Sequence, residues 1–261
     1  LERPKNTGCL IHITNGNFTF ASGTAEINNY QISANLRDAS VILIDGGNVR
    51  LEGGMLTNIS QYSLYGCGIK VNGGRLVVSG GNIEFTNSAS AGVHVDGGEA
   101  VIQGGSITAV SQGVKVTGGG LIVKEGARIQ GGEKSGYGLQ DFQGASVLYG
   151  GIFTGGTGAI YSNSSNNVKR MLGEGCAYYN LDDAGNKTLV LSVSANLKGT
   201  VAVAPCVHDC DKWTADGNGS HTYICKVCGI EETEACDYEY KDASVFGASG
   251  KDGHVVICPL C

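Results

Sequence analysis

The sequence predicts an all-β fold: a right-handed parallel β-helix, followed by a small Cys/His-rich module of zinc-ribbon type. Three observations carry that reading. Gly-Gly pairs recur through the first part of the chain at steps of 27, 24 and 21 residues. Short alternating apolar strands stand between the pairs. Seven of the ten cysteines lie beyond residue 200, and they carry a repeat of their own.

Composition narrows the field first. Glycine supplies 43 of 261 residues, more than double the usual share of roughly 7%. With only three prolines and no G-X-Y period, collagen is excluded. Hydrophobic residues at 41% against 16% charged leave ample surface to bury, so the chain is not of the disordered type. The formal net charge of −6 argues against a nucleic-acid partner, which calls for a basic face, and against capture of polyanions such as pectate through bulk charge. No apolar stretch approaches the ~20 residues that a membrane-spanning helix needs. Residue 1 is Leu rather than Met, which fits a fragment or a processed product.

The repeat defines the coils. One set of Gly-Gly pairs falls at 46–47, 73–74, 97–98 and 118–119. A second falls at 53–54, 80–81, 104–105 and 150–151, with Glu125-Gly126 filling the missing place. The two sets move in lockstep, so two corners are fixed and a third loop varies in length. Tight corners suit glycine, which turns the chain at φ > 0 without strain. Strands following the third corner include Val41–Ile44, Gly68–Val71, Gly92–Val95 and Gly113–Val116. Those between the two Gly-rich corners include Val49–Leu51, Leu76–Val78, Ala100–Ile102 and Leu121–Val123. A third set has Leu56, Ile83, Ile107 and Phe153 as its inward residues. Coils of this kind bury their apolar side chains only by stacking on one another. A β-propeller would need blades of about 40 residues, and a leucine-rich repeat would show a Leu/Asn signature; neither is present.

The coils are expected to occupy residues 1–171, with irregular first turns over residues 8–39 in which Ile11, Ile13, Phe18 and Phe20 alternate. Asn163–Asn167 reads as a polar turn. Residues 172–205 form a closing β element, with late strands at Leu189–Val193 and Val201–Val203. Residues 206–261 form the Cys/His repeats.

The coil repeat over about residues 8–170 resembles the pectin-lyase-like β-helix superfamily. The segment Leu172-Gly-Glu-Gly-Cys-Ala-Tyr-Tyr-Asn-Leu-Asp-Asp-Ala-Gly185 is similar to an element of large surface proteins from anaerobic gut Firmicutes. There it closes a β-helix and precedes Cys/His repeats. The resemblance implies secretion and cell-surface attachment, and it implies no particular catalytic activity.

In the tail, His221-x3-Cys225-x2-Cys228 recurs as His254-x3-Cys258-x2-Cys261, offset by 33 residues. Upstream, Pro-Cys206-Val-His208 parallels Ala-Cys236-Asp-Tyr238. Each copy offers Cys, His, Cys and Cys, a donor set suited to a closed tetrahedral zinc site. The expected sets are Cys206, His221, Cys225 and Cys228, then Cys236, His254, Cys258 and Cys261. A segment this poor in apolar residues could take most of its folding energy from the metal. Disulfides are the competing chemistry in a secreted chain, but they leave the paired histidines without a role. His208 and Cys210 are extras in the first copy, and either could stand in for Cys206.

No tight Asp-Asp or Asp-x-x-Asp pair occurs within the coils. The middle outward position of the first strand set reads Leu43, Lys70, His94, Lys115 and Gln140. Lys70, His94 and Lys115 are therefore the ligand-binding candidates, able to meet a carboxylated sugar, with an ordinary solvated face as the plain alternative. Asp45 and Asp96 precede corners, where Asp commonly supports the turn itself. Val77, Val101 and Ile122 form an outward apolar column that calls for cover. The function expected is a non-catalytic extracellular module binding a polysaccharide or a host or bacterial surface protein, with zinc-stabilised repeats as a spacer. The alternative is a polysaccharide lyase or glycosidase working on the Lys70/His94/Lys115 face.

Overall fold

The computed structural model describes residues 9–27, 40–58, 66–85, 91–207, 214–216, 218–236, 239–242 and 254–257. The chain divides into two units, Leu1–Pro205 and Cys206–Cys261.

The first unit is a β-solenoid with three parallel faces. The first face stacks Cys9–Ile13, Ser40–Ile44, Cys67–Val71, Val93–Val95, Gln112–Val116, Tyr137–Asp141 and Gly158–Tyr161, all parallel. The second stacks Asn17–Phe20, Asn48–Leu51, Arg75–Val78, Glu99–Ile102, Gly120–Val123 and Ser146–Leu148. The third runs from Thr24–Ile27 to Ile152–Thr154 in the same way.

The register puts like on like. Ile42, Ile69, Val93, Val114, Leu139 and Ile160 form one column, each fully buried. Leu51, Val78, Ile102, Val123 and Leu148 form another, and Leu56, Ile83, Ile107, Ile129 and Phe153 a third. Alternation along each strand sends these residues inward, so the core is a continuous stack of aliphatic layers. The inward columns are those the sequence predicts. Val77 and Val101, in the outward column of the second face, are also buried, so they do not form an open apolar patch.

The Gly-Gly corners have a physical reason for each glycine. The second of each pair, Gly47, Gly74, Gly98 and Gly119, has φ between +62° and +71°. The first, Gly46, Gly73, Gly97 and Gly118, has ordinary φ. A β-carbon there would press into a backbone carbonyl of the preceding coil: Thr14, Asp45, Asn72 and Asp96 in turn. One glycine turns the chain, and the other lets successive corners stack.

The coils end at a small cap. The expected polar turn at Asn163–Asn167 is instead the start of a helix, Ser165–Arg170. Ser164 caps it, its hydroxyl accepting from the backbone N–H of Asn167 at 3.2 Å. Lys169 and Arg170 in the last turn complement the helix dipole. Val168 is buried, and its carbonyl accepts the hydroxyl of buried Tyr178 at 2.7 Å. Tyr178 lies in Cys176–Leu181, which pairs antiparallel with Thr200–Pro205; that strand pairs antiparallel with Ile152–Thr154 on the third face. The parallel ladder thus gives way to antiparallel strands over the 172–205 segment, while Asn196–Leu197 pairs antiparallel with the last strand of the first face. Among the described residues no helix is long and apolar enough to cross a membrane.

The second unit has a three-stranded antiparallel sheet, Thr214–Ala215, Ser220–Ile224 and Glu231–Ala235, and a separate hairpin, Glu239–Asp242 with His254–Ile257.

Candidate functional site

The chemistry concentrates in two places, a sulfur cluster in the second unit and a polar column on the coils. The cluster is built at the end of the strand Ser220–Ile224. A turn follows in which Cys225 N–H donates to Ile230 and Gly229 N–H donates to Cys225, both at 2.8 Å. Gly229 takes φ +73°, which lets the chain reverse after the second cysteine. This knuckle brings Cys225 and Cys228 to one side, where Cys206 meets them. The three Sγ atoms lie within 4.8 Å of one another.

Cys206 and Cys225 are buried, and their sulfurs stand 3.8 Å apart. A disulfide would need about 2.05 Å. Two thiolates on a tetrahedral zinc, each at about 2.3 Å, are separated by about 3.8 Å. Burial, followed by the neighbouring thiols of Cys225 and Cys228, pushes the Cys206 thiol up to about 12. Crowded, desolvated thiols resist ionising together; a divalent cation at their centre reverses that preference. The three cysteines can therefore hold a metal ion.

His221 does not join this group. It lies on the same strand, where the three-residue step to Ile224 already spans roughly 10 Å. Its buried ring turns to Cys236, with Nδ1 3.4 Å from Sγ, and Nε2 lies 3.8 Å from a Glu234 carboxylate oxygen. The expected first set is thus divided: Cys206, Cys225 and Cys228 come together, and His221 sits beside Cys236 of the second set. His-x3-Cys would bring both side chains to one patch on a helix, but on a strand it holds them apart. Of the second set, His254 begins a described strand, whereas Cys258 and Cys261 lie outside the described residues, as do His208 and Cys210.

On the coils, Lys70, His94 and Lys115 are in direct register on consecutive strands of the first face. The column continues through Gln140 to Tyr161. It is not a stripe of loose cations. Beside it, at the corner, run Asp45, Asn72, Asp96 and Thr117. The Lys70 ammonium, with a side chain only 11% exposed, lies 3.8 Å from Asp96. The Thr117 hydroxyl donates to Asp96 at 2.6 Å, so the His94 ring 2.8 Å away must donate to Thr117 from Nε2. His12 and Asn72 donate to Asp45 at 2.6 and 2.9 Å. The bond from Thr117 holds the Asp96 carboxyl below its ordinary value, with His94, Lys70 and Lys115 adding to the effect. The bonds from His12 and Asn72 do the same for Asp45.

Lys70 is thus paired with a carboxylate, Lys115 adds to the charge that keeps Asp96 ionised, and the face alternates donors and acceptors. Its end is aromatic: Tyr137 and Tyr161 pack with ring centres 5.0 Å apart, and Phe142 meets Tyr161 edge-on at 6.2 Å. Sequence reading missed this cluster, although extending the outward column by one coil beyond Gln140 leads to Tyr161. A separate cleft beside Thr108–Val110 is lined by residues 130–135 and carries one carboxylate, Glu133.

No family model, no curated protein and no solved structure matches the chain.

Proposed function

We propose that this chain is a non-catalytic extracellular module: its β-helix binds a glycan along the first face, and its tail is folded by zinc. The observation that carries the glycan reading is the column Lys70, His94, Lys115, Gln140 and Tyr161, one side chain per coil. At about 4.8 Å per coil it runs for roughly 19 Å. An extended sugar chain matches such a surface, with hydroxyls meeting the alternating donors and acceptors and a ring lying on the tyrosines. Because Asp45 and Asp96 offset the lysines, the fit is to hydroxyl-rich sugars rather than to a polyanion. The extracellular setting rests on the resemblance to secreted surface proteins.

Two features favour binding over cleavage. Glycoside hydrolysis needs one carboxyl held protonated beside one that is ionised, whereas Asp45 and Asp96 are both held as carboxylates. The cleft at residues 130–135 carries one carboxylate and not the two that hydrolysis uses. Zinc is favoured by the three soft donors and by their spacing.

A glycan array, run beside an assay for sugar-chain cleavage, tests the proposal. Binding should fall at least tenfold in Tyr161→Ala and in Lys115→Ala, with no release of reducing or unsaturated ends. Release of such ends that disappears in His94→Ala would establish a lyase or hydrolase instead.

A further inference from the structure

We infer that the glycan held by the first face carries a single anionic group on an otherwise neutral chain, and that the Lys115 ammonium receives it two coils from the Tyr161 ring. The inference rests on the reading of this face as a glycan-binding surface. It adds the charge of the ligand and the end of the face at which that charge sits.

The column divides into two halves. In the first, cations and acids already satisfy one another. The Lys70 ammonium, mostly covered, stands 3.8 Å from Asp96. Thr117 donates to the same carboxylate, and His94 is bonded to Thr117. Asp45 is occupied by His12 and Asn72. A charged ligand arriving there exchanges bonds already made, which gains little.

The second half is open. Gln140 follows Lys115 in register, and Tyr161 follows Gln140. Among the described residues no carboxylate forms an ion pair with Lys115, and the Gln140 amide bonds to no other side chain. The corner beside the column gives the reason. It reads Asp45, Asn72, Asp96, Thr117 and Phe142, one residue per coil. Its acids stand at the first and third places, with none beyond Asp96. Lys115 therefore feels Asp96 from one side only, and the coil ahead offers an amide and an aromatic ring. Asp141 on that coil is buried and taken up by its own turn.

This asymmetry selects the ligand's charge. A chain with an acid on every sugar would meet Asp45 and Asp96 as like charges over most of the face. One anion beside Lys115 meets a cation and the Gln140 amide donors, with no acid on the far side. Both side chains are half-buried, which reduces screening by solvent. Tyr161 stands two coils further on, roughly 10 Å. Its ring is half-buried and braced by Tyr137 and Phe142, so it offers a fixed apolar platform for a sugar ring. A charged group and a stacked ring at that separation suit neighbouring sugars of one chain.

The test uses the intact chain on an array of matched oligosaccharides. Each neutral chain is printed beside the same chain with one terminal uronic acid and the same chain with one terminal sulfate, and polygalacturonate and heparin serve as polyanions. A singly charged member should bind about three- to tenfold tighter than its neutral twin; whichever anion gains the advantage identifies the group. The advantage should shrink at roughly 1 M salt. Lys115→Gln should abolish it while leaving binding of the neutral twin within about twofold, because the amide still donates, and Lys115→Arg should keep it. Equal binding of the twins, an advantage that survives Lys115→Gln, or tighter binding of a polyanion than of the singly charged member would overturn the inference while leaving a glycan-binding face. A wild-type chain that binds no glycan would remove the face and the inference together.

Discussion

Replacing a corner glycine by alanine separates two properties that glycine combines, and the first Gly-Gly corner allows a clean test. Gly97 has an ordinary φ, so Gly97→Ala carries no conformational penalty of its own. Its new methyl group would meet the Asn72 carbonyl oxygen of the preceding coil well inside 3.0 Å. Backbone held by the strands on either side has nowhere to go, so the two coils must separate by several tenths of an ångström. Overpacking typically costs about 1–3 kcal/mol, and a rigid backbone contact belongs at the upper end, about 3 kcal/mol. Gly120 is the control. It has an ordinary φ, and a methyl group there meets nothing within 4 Å. Its register partners on earlier coils are Glu99, Arg75 and Asn48, so side chains are already accommodated in that column. Gly120→Ala should stabilise by about 0.4–1 kcal/mol through the unfolded chain. In a unit of this size 1 kcal/mol moves the melting temperature by about 2–4 °C, so Gly97→Ala should melt roughly 6–12 °C lower. Far-UV circular dichroism during heating, at fixed zinc, measures both variants. A Gly97→Ala protein within about 0.5 kcal/mol of wild type, or equal losses in the two variants, would refute the stacked-corner account.

Two further perturbations probe polar groups built into the coils. Asp141 continues an inward column below Val116 and is fully buried; its carboxylate accepts from the backbone N–H groups of Gln143, Gly144 and Ser146 and from the Ser146 hydroxyl, at 2.6–2.9 Å. Asp141→Ala strands these donors and should cost roughly 3 kcal/mol or more in urea unfolding; a loss under about 1 kcal/mol would mean the turn holds without it. Asp96 has a folded pKa below its unfolded value, so its contribution is present above the unfolded pKa and fades as pH falls through the folded one. Asp96→Asn should flatten stability against pH in that acid window and leave it unchanged in slope near neutrality. The effect will be small because the carboxylate is substantially exposed, and a steeper acid limb in the variant would contradict the assignment.

The coils were legible because each one repeats the same problem. Periodicity found both Gly-rich corners and the inward columns, since a strand face buried at one coil is buried at the next. What escaped depends on contacts between coils or on local ambiguity. Positive φ was a sufficient reason for glycine at Gly98 but not at Gly97, where the reason is a carbonyl 25 residues back in sequence, on Asn72. Ser164 and its asparagine neighbours favour turns and helix caps alike, so the short helix after Ser164 read as a turn. Asp141 was findable by carrying the Val116 column one coil further, where a charged residue takes an inward place. At the candidate sites, the cysteines were legible from Cys-x2-Cys and its second copy. The place of His221 was not, because ligand spacing means one thing on a helix and another on the strand that holds it.

Metal content tests the central claim most directly, that the tail is a fold held by zinc. Reduced, freshly purified protein should contain about two zinc equivalents per chain, and chelation should unfold residues 206–261 while the β-helix signal survives, because the coils hold none of these ligands. Less than about half an equivalent of zinc with the thiols confirmed reduced, or a tail that keeps its structure after chelation, would contradict it.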